Sequence, residues 1–364
     1  MYAQFFAYMR KMSPMYQKSD FRAFSEDSQR ITANLEQAYD AWLDAKRELE
    51  SMPVGMRWSA RENKDYLLKK DTSDSSEESL GPRSESTEKA FNEHHEKKVR
   101  VKERIQSFDK TVSERASLYR RLRLPSIPDR QAEILRRLDI DGLLGKDLMV
   151  VGTNAFHAYE LFCGAKFPTG NEETEDFDLA WCRHTRASLM SMENTAGKSL
   201  ISVLRRLDST YAINPKKPYQ AINQDLYEVE LLAAPSTHPL PADQEFEPMA
   251  TLVEQEWLLE GTPIQCAVAT IRGRACPMFV PDPRWMAMHK LWLSEKPERK
   301  AAKKPKDRRQ GEVLMDATMH FLKNSHPLDL DFVMDLPEEL RPYFNAWASS
   351  RNFIPSAPTD FDRE

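Results

Sequence analysis

Residues 148–162 read LMVVGTNAFHAYELF. The four apolar residues Leu148 to Val151 suit a short buried strand, and Gly152 ends the run. Helical spacing resumes in NAFHAYELF, so the stretch predicts strand, turn, helix. Gly152 permits close backbone approach, and the amides and hydroxyl around Thr153 can hold a phosphate at a helix start. The same residues also make a plain strand-to-helix turn with Thr153 or Asn154 as the N-cap.

Two other stretches bear on that choice. In ETEDFDLAW (173–181), Asp176 and Asp178 are two residues apart where an extended strand begins. Side chains at i and i+2 share a face, so both carboxylates point together while Phe177 turns to the core. Such a pair repels itself unless protonated or bridged by a cation, and a hard cation such as Mg²⁺ accepts carboxylate oxygens and leaves room for phosphate. A pair of solvated loop acids is the plainer alternative. In YEVELLAA (227–234), Glu228 and Glu230 share one strand face, with Tyr227, Val229 and Leu231 on the other. An acid on an apolar strand needs a partner or a metal, although an exposed sheet face also accommodates Glu228.

Outward from there, Ile31, Leu35, Ala38, Trp42, Ala45 and Leu49 predict an amphipathic helix over 27–51, ended by Pro53 and Gly55. MRWSARENKDYLLKK predicts two strands around a polar turn near Asn63. The serine-rich, acidic stretch 71–86 predicts a mobile loop, and a long helix follows from about Thr87 to Arg123. RQAEILRRLDI predicts a short amphipathic helix, and FDLAW (177–181), YEVELLAA and CAVATI (266–271) predict further strands. PDPRWMAMHKLWL opens a final helical region, with Pro283 at a helix start.

The whole is an α+β chain in three parts. An N-terminal helical region with a β-hairpin spans 1–128, a core of strands interleaved with helices spans 129–280, and a helical region spans 281–364.

Composition narrows the function. The 364 residues are 40% hydrophobic and 30% charged, enough for a sizeable core. The net charge of −5 excludes a general polycation, so nucleic-acid contact needs a local patch. KPERKAAKKPKDRR (296–309) is one basic run: a solvated face, or a phosphate contact. Cys163, Cys182, Cys266 and Cys276 show no metal-ligand spacing and read as reduced thiols. With no stretch near the ~20 apolar residues a spanning helix needs, a cytoplasmic location is expected. Trp285, His289 and Trp292 recur at helical spacing and read as core, and a lone helix histidine such as His157 reads as structural. Arg205 and Arg206 read as solvated or phosphate-contacting.

The ordered set of strand–Gly–Thr–helix, Asp-x-Asp and a later strand acid resembles the nucleotidyltransferase superfamily with the DNA polymerase β-like fold. GTNAFHAYE, EDFDLAW, VELLAAP, VPDPRWMAMHKL and the KD of Lys306–Asp307 are similar to a bacterial family of nucleotidyltransferase-fold proteins of unassigned substrate. The resemblance implies a small mixed sheet flanked by helices and a metal-dependent transfer of a nucleoside monophosphate from an NTP, such as ATP, to an acceptor hydroxyl, releasing pyrophosphate. It implies Gly152, Thr153 and Asn154 at the nucleotide phosphates and Asp176, Asp178 and Glu230 as catalytic carboxylates holding Mg²⁺ or Mn²⁺. Lys290 and Lys306 are implied near the triphosphate. The acceptor is left open among an RNA or tRNA end, reached through the 296–309 segment, a protein side chain and a small molecule. Thr153 replaces the usual Ser or Gly, the loop before Asp176 is longer than usual, and the third acid is Glu rather than Asp. A nucleotide-binding regulatory module, as in a toxin–antitoxin or defence system, with a degenerate site is the alternative.

Overall fold

The computed structural model describes residues 15–61, 64–72, 75–168, 186–191, 200–237 and 253–357. After a short strand β1 (Arg22–Ala23), helix α1 runs Glu26–Ser51. Ser25 caps it by accepting from Ser28 N, and Glu26 and Asp27 favour the positive end of the helix dipole. Leu35, Tyr39, Trp42 and Ala45 are buried along one stripe, as the spacing predicts. Strands β2 (Gly55–Arg61) and β3 (Lys64–Lys70) form the expected antiparallel hairpin.

The stretch 71–86, read above as a loop, contains a further strand, β4 (Glu78–Pro82), paired antiparallel to β3. Its pairing comes from the backbone, which the serine-rich composition does not report. Helix α2 then spans Glu85–Arg121, with Ser84 and Thr87 capping each other's amides. It packs along α1, with Arg104 on Glu48 at 2.9 Å. Its start holds the three-stranded sheet, where Trp58 and Phe91 rings lie 5.8 Å apart.

Strand β5 (Ser126–Ile127) leads to α3 (Asp129–Ile140), β6 (Leu148–Val150), α4 (Phe156–Cys163) and β7 (Ala165–Lys166), which pairs with β1. Then follow β8 (Arg186–Ser191), α5 (Leu200–Leu207), β9 (Ala212–Asn214), β10 (Lys217–Ile222), β11 (Glu228–Leu232), β12 (Ile264–Thr270) and β13 (Ala275–Val280). Five of these make one mixed sheet in the order β6-β8-β11-β10-β9. Within it β8 and β11 are parallel and the other neighbours antiparallel. Val150, Leu189 and Leu231 form a buried row across its first three strands. A second sheet, β13-β12-β5, lies behind α4. Helix α4 is buried at every position but Phe162, so its apolar residues face the core all round.

The chain closes with α6 (Pro283–Glu295), α7 (Lys304–Phe321), α8 (Leu330–Asp335) and α9 (Arg341–Arg351). Asp282 caps α6, with Pro283 at its first position as predicted. Helices α6 and α7 pack closely at Gly311, where a Cβ would stand 2.6 Å from Leu291 Cδ2. The architecture is α+β, as expected.

Candidate functional site

The Gly-Thr turn stands at the end of β6. Gly152 adopts φ +76°, a left-handed conformation that favours glycine, and a Cβ there would meet no atom within 4 Å. The backbone conformation therefore selects glycine at this turn, and the space beside its Cα is open. The single 3-10 turn Gly152–Ala155 then feeds α4, with Asn154 buried and Thr153 half-buried. Thr153 Oγ1 accepts from Gln310 Nε2 of α7 at 3.4 Å.

Strand β8 lies between β6 and the acid-bearing β11. Because β6 is antiparallel to β8, following it past Val150 leads towards the start of β8, and β11 starts at that same end. The turn and the first residues of β11 thus share one end of the sheet.

Glu228 and Glu230 occupy one half-exposed face of β11, while Val229 and Leu231 are buried on the other, as the alternation predicts. Gln220 of β10, 1% exposed, stands opposite Glu230. Its Nε2 donates to Glu228 Oε2 at 2.9 Å and lies 3.5 Å from Glu230 Oε1, while its Oε1 accepts from Asn214 Nδ2 at 2.8 Å. One buried amide therefore faces two neighbouring carboxylates, whose mutual repulsion it offsets in part. Carboxylates of this kind suit a hard divalent cation. Among the described residues no group of three or more His, Cys, Asp or Glu could hold a metal ion. Asp176 and Asp178 lie outside the described residues, as does Cys182. In sequence, Asp178 precedes Arg186, the first residue of β8, by eight positions.

Helix α7 meets the turn through Gln310. Lys306 and Gln310 are four apart on α7 and so share a face, which places Lys306 one helical turn from the residue touching Thr153. Burial lowers the Lys306 pKa to about 8, helped by Lys290, Lys303 and Arg299 and opposed by Asp307. Lys290 is buried and donates to Asp307 Oδ1 at 3.0 Å, while Arg299 Nε donates to Asp307 Oδ2 at 2.6 Å. Burial also pushes the Lys290 pKa down. The structure thus brings Lys290 and Asp307 together as a buried ion pair across α6 and α7.

The remaining candidates take structural positions. His289 is buried between Trp257 and Trp292, and that burial lowers its pKa to about 3. Trp285 and His157 are buried too. Arg205 Nε donates to Tyr211 O at 3.2 Å, and Arg206 pairs with Asp141 at 2.7 Å. Cys163, Cys266 and Cys276 are buried free thiols.

The basic run 296–309 is occupied in part within the protein. Lys296 pairs with Glu254, Arg299 with Asp307 and Arg308 with Glu295. Sequence reading missed Gln220, Asn214 and Gln310. The alternation in KPYQAI was the available signal for Gln220, whereas Gln310 carries none, because its contact spans 157 positions.

With this geometry in view, the comparison with known families is direct. A family model described as nucleotidyltransferase matches residues 129–332, more than half of the chain. The chain belongs to that nucleotidyltransferase family. No curated protein and no solved structure matches it. The matched span begins with α3 and runs into α8, so it takes in the Gly-Thr turn, both β11 acids and the α6–α7 pair.

Proposed function

We propose that the protein is a metal-dependent nucleotidyltransferase that moves a nucleoside monophosphate from an NTP to an acceptor hydroxyl and releases pyrophosphate. One observation carries this reading: the Gly152–Thr153 turn shares an end of the sheet with Glu228 and Glu230 and meets Gln310 of α7, one helical turn from Lys306. In a chain of this family, phosphate-binding and acid-bearing elements then converge on one place.

In this mechanism the turn amides and the Thr153 hydroxyl bind the β- and γ-phosphates, with Gly152 leaving room for the approach. Gln310 donates to Thr153 Oγ1, which directs the hydroxyl proton outward to a phosphate oxygen. Lys306, charged below about pH 8, balances the phosphate charge. Asp176, Asp178 and Glu230 would hold Mg²⁺ or Mn²⁺. When bound, the cations supply Lewis-acid stabilisation of the attacking oxygen and the leaving pyrophosphate. Gln220 orients Glu228 and Glu230, so that the protein contributes mainly positioning and charge.

The test is pyrophosphate release from each labelled NTP with Mg²⁺ and fractionated cell extract, following the label into RNA, protein or small molecules. Asp176→Asn, Asp178→Asn and Glu230→Gln each abolish release and keep the wild-type melting curve, while Glu228→Gln retains activity. Full activity in Glu230→Gln would overturn the assignment of the third carboxylate. NTP binding without turnover in the wild type would mark a regulatory module instead.

A further inference from the structure

We propose that the arginine-rich end of α2 is the docking surface for a single-stranded RNA that serves as acceptor. This rests on the reading of the chain as a nucleotidyltransferase. Arg120 and Arg121 end the helix, and Arg123 follows it; all three are exposed and make no ion pair among the described residues. Two hollows of about 390 and 440 Å³ run back along the helix from there and share Ser117 and Arg121. Lys110, Ser113 and Arg120 also line them, with Glu114 as the acid among the lining residues. The turn after β12 closes one side: a Cβ at Gly273 would stand 3.7 Å from both Arg120 Nη1 and Ser117 Oγ. That turn adds exposed Arg272 and Arg274 and the exposed side chain of Ile271, beside exposed Leu118 and Leu122.

Helix polarity favours Arg120 and Arg121, which lie in the last turn, but not Lys110, three turns back, nor Arg272 and Arg274 on the neighbouring turn. From Lys110 to Arg121 the helix rises about 16 Å, long enough to lie along more than one nucleotide of an extended strand. Guanidinium groups match phosphates, Ser113 and Ser117 can meet 2′-hydroxyls, and the aliphatic side chains offer contacts to bases. In a molecule of net charge −5, three neighbouring exposed arginines, Arg120, Arg121 and Arg123, with no ion pair among the described residues are a local exception.

The surface also leads to the acids. Arg274 pairs with Glu133 and Arg272 with Asp129 on the first turns of α3. Between them in sequence Arg130 pairs with Asp208, which accepts from Asn223 Nδ2 at 3.0 Å. Asn223 Oδ1 in turn accepts from Tyr227 N at 2.8 Å, immediately before Glu228. These contacts tie the turn after β12 through α3 to the start of β11. The 296–309 segment, with several of its charges taken internally, is the weaker candidate.

The experiment is anisotropy titration of a short fluorescein-labelled single-stranded RNA, without NTP, across a KCl series. It compares wild type, Arg120→Gln/Arg121→Gln/Arg123→Gln and a Lys300→Gln/Lys304→Gln control. Three phosphate contacts predict a salt slope steeper by about 2 in the wild type, so a fourfold rise in KCl weakens it roughly twentyfold more than the arginine variant. The control keeps the wild-type slope. Melting curves and NTP affinity stay unchanged in both variants, since the three arginines and Lys300 are exposed, Lys304 is half-buried, and none of them is assigned to the nucleotide site. Equal slopes in wild type and arginine variant overturn the proposal. So does equal binding of DNA of the same sequence, or stronger binding of an acidic peptide or anionic vesicles. Arginine-dependent RNA binding without any pyrophosphate release would keep the RNA surface and reject the transferase reading.

Discussion

Lys306 gives the most direct handle on the proposed nucleotide site. An ordinary lysine holds its proton to pH 10.5, whereas desolvation on α7 and the charges of Lys290, Lys303 and Arg299 bring Lys306 to about 8, against the opposing pull of Asp307. The sign follows. A lowered lysine pKa means that the charge is present below about 8 and is lost as pH rises through it. From pH 7 to pH 9 the charged fraction falls from about 90% to about 10%. If the neutral amine leaves only about a tenth of the affinity that the charged one gives, NTP affinity drops about fivefold over that interval. The assay is equilibrium titration with a fluorescent NTP analogue at constant ionic strength and without acceptor. Lys306→Arg holds its charge and binds with nearly constant affinity from pH 7 to 9. Lys306→Met binds about tenfold more weakly at pH 7 and shows no fall above it. A flat profile in the wild type, or the same fall in Lys306→Met, refutes the placement of this amine at the phosphates.

Two further predictions concern the scaffold beneath that amine. Asp307→Asn leaves the cations of Lys290 and Arg299 facing a neutral amide in a buried site, at a cost of about 3–5 kcal/mol. Lys290→Met costs less, because Asp307 keeps Arg299; thermal unfolding by circular dichroism checks the order, and a reversed order would refute it. Gly311→Val forces a Cβ to within 2.6 Å of Leu291 Cδ2 and 2.9 Å of Ala287 O, separating α6 from α7. Overpacking there costs about 1–3 kcal/mol. It also weakens NTP binding, because Lys306 and Gln310 ride on the displaced helix; unaltered NTP affinity in a destabilised Gly311→Val protein would disconnect the two.

Much of the framework was legible residue by residue. Apolar spacing placed α1, α3, α4 and α6 and the hairpin of β2 and β3, and alternation sorted Glu228 and Glu230 from Val229 and Leu231. Strands β4, β9 and β10 escaped because they are short or rich in polar residues, and β13 because its unbroken apolar run shows no alternation; the pairing of all four comes from backbone neighbours rather than from side-chain pattern. The site was legible in its residue types and less so in its partnerships. The Asp176–Asp178 pair remains a sequence reading joined to a proposal.

By itself the sequence determined the α+β class, the strand–Gly–Thr–helix unit and the acid face of one strand. These follow from local rules: period-two and period-3.6 burial, and the left-handed backbone that Gly152 adopts at its turn. Tertiary structure alone decided that Gln220 serves two glutamates and that Gln310 meets Thr153. It also buried Lys290 against Asp307, turned part of the 296–309 charge inward and left the arginines at the end of α2 outward. The reason is physical. A polar group's partner is chosen by desolvation and proximity across the folded chain, and neither quantity is written in the residues next to it.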